Sequence, residues 1–224
     1  MLNHIQIDKA TTTERVTTAL RAEILAGRLA SGQVVSEVSV SQDLGISRNT
    51  LREAVQQLEF EGLLSWKGNR RIVTVPSLED VRDIYKVRLL LETGGLEASR
   101  HATAEEIQAL ETALTNFEKA ALAHDRYAVV EQNIAFHGAT VAFMRSPRLS
   151  ASYELAMRQM HLALIFTELD LDDQTEQIRI HRDIVDVVKR GQIERGIAML
   201  RHNYMHAEAD VLRSLTAQTL ATPK

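Results

Sequence analysis

The chain has no cysteine, which excludes disulfides, thiolate-held metals and cysteine nucleophiles. Proline is scarce, with Pro76, Pro147 and Pro223 the only ones. No apolar run approaches the roughly 18 residues of a membrane span. The opening MLNHIQIDKA has neither the basic start nor the long apolar core of a signal peptide. A soluble, cytoplasmic protein is therefore expected. An excess of basic charge is missing as well, the net charge being −4. Residues 1–76 hold nine Lys/Arg against eight Asp/Glu, and residues 77–224 hold 17 against 22. Total charge thus gives no reason to expect nucleic acid, and such a case has to rest on where the charges sit. Internal repeats and low-complexity tracts are absent. So are HExxH, the paired Glu-x-x-His of a di-iron bundle, and any nucleophile constellation.

What is present is an ordinary globular composition, 45% apolar and 25% charged, over 224 residues. That length suits one large or two small domains with ample buried core. From Ser77 onward the pattern is helix after helix. Ser77-Leu-Glu-Asp80 pairs a Ser cap with early acids, and Pro76 just before it marks the domain boundary. Thr103-Ala-Glu-Glu106 is a capping box that opens a second helix. Further helices are predicted over about 125–144, 147–168, 174–190 and 192–216. Lys189-Arg190-Gly191 gives the fifth its terminal cations and glycine cap. Six or seven helices with no strand signal predict an all-α antiparallel bundle over 77–224. The ends, roughly 1–9 and 217–224, are expected to fray.

Residues 1–76 follow a different pattern. Helices are predicted near 12–27, 36–44 and 48–60, with Gly45-Ile46-Ser47 breaking the chain between the last two. LLSWKGNRRIVTV then offers two β-prone arms around a Lys67-Gly68-Asn69-Arg70 turn. Helix, helix, turn, helix and hairpin is the layout of a winged helix-turn-helix. In SRNTLREAVQQLEFEG, Leu51, Ala54, Val55 and Leu58 recur at i, i+3, i+4 and i+7 and form one buried stripe. Ser47 can cap this helix, whose first turn carries Arg48, Asn49, Thr50 and Arg52 away from the stripe. A recognition helix needs that arrangement, because its N-terminal turn presents donors to base edges and phosphates in the major groove. Lys67, Gly68, Arg70 and Arg71 on the wing are placed for the DNA backbone. On an isolated helix, two arginines at the start would be read as merely solvated. The neighbouring helix, the glycine turn and the basic hairpin favour DNA.

Seven of the eight histidines fall after residue 76. Metal binding through imidazole would need several of them to converge from different helices. Asn133 and His137 stand four apart on one predicted helix, so their side chains share a face. His181 lies in IRIHRDIV and His202 in MLRHNYMHAEA, with apolar neighbours that make inward orientation the working expectation. His206 shares the face of His202 one turn on. The competing reading of any lone helical histidine is a satisfied core or surface residue.

Arg15 to Val75 resembles the winged-helix domain of the GntR family. The resemblance runs through Leu44-Gly45-Ile46-Ser47-Arg48, Leu51-Arg52-Glu53-Ala54, Leu58, Glu61-Gly62-Leu63 and the wing. The helical remainder resembles the FCD ligand-sensing domain of the FadR subgroup, so the likeness spans nearly the whole chain. It implies a DNA-binding, homodimeric transcriptional regulator that recognises a pseudo-palindromic operator. It also implies a repressor released when a small carboxylate binds near a divalent metal, with zinc or nickel suited to imidazole ligands. The metal set implied is Asn133, His137 and His181, with His202 as the last member. Counted without a gap, the family's last histidine falls on Asn203, so either His202 or Asn203 completes the set, or the set is incomplete. Arg88 matches the arginine that would hold the effector carboxylate, and Arg158 is a second candidate. The alternative for Arg88 is a surface ion pair with Glu92 at i, i+4. The sequence departs from the family at Val38, where an arginine often follows the residue matching Glu37. Two rival readings stand beside the regulator. One is an all-α histidine-ligated metalloenzyme with an accessory N-terminal domain, and the other a winged helix that binds protein.

Overall fold

The computed structural model describes residues 11–166 and 174–221. The chain divides between Thr74 and Val75 into two compact units. In the first, α1 (Thr12–Leu25), α2 (Glu37–Asp43) and α3 (Arg48–Phe60) precede the hairpin β1 (Leu64–Lys67) and β2 (Arg70–Val73). Thr11, Ser36 and Ser47 each cap the helix that follows by accepting a backbone N–H. The predicted stripe Leu51, Ala54, Val55 and Leu58 is wholly buried, and α1 packs on it through Val16, Leu20 and Ile24. A buried carboxylate locks the two together. Glu61, just past α3, accepts two 2.7 Å bonds from Arg21 of α1 and a third at 3.2 Å from Gln57. The hairpin pairs Leu64 with Val73 and Lys67 with Arg70 in antiparallel register. Gly68 turns it at φ +59°, a conformation that an L side chain resists.

The second unit is helical throughout its described residues: α4 (Leu78–Ala98), α5 (Ala104–Leu122), α6 (Arg126–Ala142), α7 (Pro147–Phe166), α8 (Thr175–Lys189) and α9 (Ile193–Ala221). A short 3-10 turn, Ser99–His101, links α4 to α5. Thr103 forms the capping box expected of it, and Ser77, expected as a cap, forms a reciprocal box with Asp80 as well. The expected stop of the last helix at 216 is too early, since α9 continues to Ala221 with Val211 and Leu215 still buried. The fraying expected at 1–9, and the end of the helix predicted to reach 168, lie outside the described residues. No described helix is long and apolar enough to cross a membrane.

Two features of this bundle place the candidate site. Helix α4 packs along α6, α7 and α9. Its closest approach to α6 is at Gly95, where a Cβ would collide with the Thr140 carbonyl oxygen and lie 3.0 Å from Val141 Cα. Only glycine allows that approach, and it sets the α4 side chains one turn earlier against the centre of α6. Around them lies an apolar core that includes Ile84, Leu96, Phe136, Met157, Ile184 and Leu200.

Candidate functional site

On the first unit, Arg48, Asn49 and Arg52 are exposed and Thr50 is half-buried on the first turn of α3. Lys67, Gly68 and Arg70 are exposed at the wing. Among the described residues Arg48, Lys67 and Arg70 make no ion pair, so their charges remain available to an anion. The other donors are already oriented. Asn49 donates to Glu53 at 3.2 Å, and the Ser47 and Thr50 hydroxyls lie 2.9 Å apart. Glu53 also accepts from Thr13 of α1 at 2.9 Å.

Arg71 does something the sequence did not reveal. It donates to Glu59 of α3 at 2.7 Å and pairs with Glu37 of α2, while its guanidinium lies 4.6 Å from the centre of the Trp66 ring. Its side chain is only 13% exposed, so it clamps the wing to the two helices rather than projecting from it. Glu37 also lies 3.7 Å from Arg52, which ties the recognition helix to the same carboxylate. Val38 beside it is 46% exposed and brings no cation to this face.

The second unit carries a buried charged cluster. Arg88 and Glu92, read as a candidate surface pair, are 5% and 0% exposed. Arg88 Nε donates to Glu92 Oε1 at 3.2 Å, and Nη2 donates to the Tyr204 hydroxyl at 2.9 Å. Its guanidinium also stacks 4.5 Å from the Tyr204 ring centre. Glu92 Oε2 lies 2.7 Å from Nδ1 of His137. Burial would by itself raise the Glu92 carboxyl. The charges of His137 and Arg88, with hydrogen bonds from His137 and Tyr204, overcome it and hold the pKa at about 2.

Through Nε2, His137 meets His181 Nε2 at 3.2 Å. His181 is wholly buried, stacked 4.2 Å from Phe136 and edge-on to Phe117 at 4.7 Å. Burial, followed by the nearby charges of His137 and Arg88, pushes its pKa well below the ordinary imidazole value and keeps it neutral. Its Nδ1 has no hydrogen-bond partner among the described residues.

The pair opens on a cavity of about 740 Å³ bordered by α4, α6, α8 and α9, and by Leu164 of α7. Asn133, Arg88, Asn203 and Tyr204 line it. Asn133 and His137, whose spacing put them on one face, line the cavity together with His181, which the family resemblance added to them. The structure does not bring His202 to them. The buried face of α9 runs through Leu200, Tyr204, Val211 and Leu215, so a residue two places from Tyr204 is rotated by about 200°. His202 is accordingly exposed at the open side, with its ring beside that of His206 at 4.7 Å. Met205, expected to help turn His202 inward, is 66% exposed. Arg158 is half-buried on α7 and does not border the cavity.

Two imidazole nitrogens bound to one tetrahedral zinc ion stand about 3.4 Å apart, given zinc–nitrogen bonds of about 2.0–2.1 Å. The 3.2 Å between His137 and His181 fits a shared divalent ion. Glu92 on the far nitrogen of His137 is the kind of carboxylate that fixes the tautomer of a metal-bound histidine. No three His, Asp or Glu side chains converge as a ligand set among the described residues. The donors present thus fit a two-histidine core with an amide beside it.

Sequence reasoning missed Glu92 as the partner of His137, and Tyr204 as a wall of the polar cluster. A signal was available for Glu92. Val81, Ile84, Tyr85, Arg88, Glu92 and Leu96 recur at helical spacing, and that stripe places the ion pair on the apolar face of α4.

Comparison with known proteins bears on both units. Residues 12–73 match the model for bacterial regulatory proteins of the gntR family, and residues 83–204 match the FCD domain. The chain is 31% identical over 196 residues to the uncharacterized HTH-type transcriptional regulator YdhC of Bacillus subtilis, covering 84% of this chain and 87% of that one. It is 29% identical over 206 residues, 88% of each chain, to the probable D-xylose utilization operon transcriptional repressor of Paenarthrobacter nicotinovorans. Its fold resembles that of E. coli McbR/YncC with a TM-score of 0.75 at 18% identity, over 92% of this chain and 99% of that one.

Proposed function

Because the chain belongs to the gntR family of bacterial regulatory proteins and carries an FCD domain in its helical half, we propose that it is a repressor released from its operator by a small carboxylate bound in the helical cavity. That it is a transcriptional regulator and not an enzyme follows from its domains and its relatives, so the metalloenzyme reading is set aside. Repression is supported by a relative that is itself named a repressor. A cytoplasmic homodimer would offer two recognition helices and two wings to a pseudo-palindromic operator. Arg48, Asn49, Thr50 and Arg52 would read bases and phosphates there, while Lys67, Gly68 and Arg70 would follow the backbone.

The observation that carries the effector reading is the cavity, an open volume of ligand size whose inner wall bears buried charge. Arg88 and Glu92 nearly cancel one another, so that wall alone attracts an anion weakly. A divalent ion held by His137 and His181, with Asn133 or Asn203 beside it, would supply the missing positive charge. Release of DNA then requires only that the carboxylate bind one arrangement of the dimer better than the other.

Two measurements test this. A mobility shift on DNA upstream of the protein's own gene should weaken steeply with salt and be lost in the Arg48→Ala/Arg52→Ala double variant. Unchanged binding by that variant would remove the recognition-helix assignment. A thermal-shift screen of small carboxylic acids should raise the melting temperature, and the acids that do so should release the DNA. An acid that stabilises the protein yet leaves the DNA complex intact would contradict the release step.

A further inference from the structure

We infer that His202 and His206 form a second transition-metal site, at the open side of the cavity and separate from the His137–His181 pair. The two residues stand four apart on α9, so their side chains leave the helix on one face, one turn from each other. Two histidines in that spacing can chelate a single ion through neutral ring nitrogens. Their rings are already together, with centroids 4.7 Å apart and planes at 68°. Both are exposed, and both border the cavity. Among the described residues neither ring makes a hydrogen bond or an ion pair, so no partner has to be displaced before a metal binds.

The helical phase keeps this pair out of the inner cluster. Tyr204 lies between them in sequence and points into the core against Arg88, which turns both histidines toward the opening. Asp210, one further turn along, also borders the cavity but is engaged by Arg213. The protein therefore offers two ligands here, and the remaining positions are open to water or to an oxygen of a molecule in the cavity. Imidazole donors select first-row divalent ions, with copper favoured over nickel and zinc. A chelating carboxylate in the cavity would complete such an ion's coordination. That consequence rests on the effector reading above, whereas the ion site does not.

The test is nickel titration of the full-length protein, stripped of metal beforehand, followed by calorimetry on the wild type, His202→Ala, His206→Ala and His137→Ala. Because His206 is exposed, its variant should fold as the wild type does, which circular dichroism checks. One nickel equivalent should be lost in both His202→Ala and His206→Ala and kept in His137→Ala. In NMR spectra the same equivalent should broaden the ring signals of His202 and His206 together. Nickel binding by His206→Ala that matches the wild type would overturn the site. So would loss in His202→Ala without loss in His206→Ala, since His202 would then serve the inner pair. DNA release by carboxylates, measured on the same variants, tests the effector reading independently. Its failure with the His206-dependent equivalent intact would leave the metal site standing.

Discussion

The candidate sites of the two units use charge in opposite ways. In the N-terminal unit Arg48, Lys67 and Arg70 are exposed and make no ion pair among the described residues, while its acids hold neighbouring donors in place. The helical unit buries Arg88, Glu92, His137 and His181 and contacts them with aromatic rings. An exposed, unpaired cation contributes little to stability but binds a polyanion readily. A buried pair in low dielectric is costly to desolvate and costly to break, and it rigidly fixes the groups around it. One surface is therefore suited to a partner that is itself highly charged. The other is suited to a small molecule that must be told apart from water and from other small molecules.

The sharpest way to break this contrast is to remove the buried carboxylate. Glu92→Ala leaves Arg88 uncompensated in the core and should destabilise the helical unit by about 3–5 kcal/mol in denaturant unfolding. A loss below 1 kcal/mol would mean that the pair is not a buried one. Next comes the close approach that builds the pair. Gly95→Ala forces α4 from α6 and should cost about 1–3 kcal/mol or more. Gly94→Ala meets only the Met144 sulfur, at 3.1 Å, and should be far milder in the same denaturant unfolding.

On the outward-facing side the prediction reverses. Arg48→Ala should leave the melting temperature unchanged while weakening operator binding by about 1–3 kcal/mol. Arg71→Ala falls between the two cases. It should lower the stability of the N-terminal unit and weaken DNA binding indirectly, whereas Lys67→Ala should touch DNA binding alone. The smallest effect belongs to an exposed pair in the helical unit. The hydrogen bond from Arg145 holds the Glu106 carboxyl at about 2. Because this folded value lies below the unfolded one, its stabilising contribution is full above the ordinary carboxylate range and is lost as pH falls toward 2. In an NMR titration, Arg145→Ala should return Glu106 toward the ordinary range.

Much of the N-terminal unit was legible because its evidence is local. The stripe Leu51, Ala54, Val55 and Leu58, the Ser47 cap and the Lys67–Arg70 turn each lie within a few residues, and each took the form its sequence implied. Arg71 was the exception, because its partners Glu37 and Glu59 come from two other elements. In the helical unit the capping boxes and the pairing of Asn133 with His137 on one face were equally local. The inward placement of His202 was not, and it was misjudged.

The sequence by itself determined the two-unit layout, the helices and their caps, and the donor-rich first turn of α3. Periodicity, capping and turn chemistry act over a few residues, and those few residues are present in any reading of the chain. Only the tertiary structure decided that Arg88 and Glu92 turn inward to meet His137, that His181 completes that pair, and that His202 is exposed rather than beside them. Those outcomes depend on the approach at Gly95 and on the rotational phase of α9 set by Tyr204. A single step of about 100° along a helix separates core from opening.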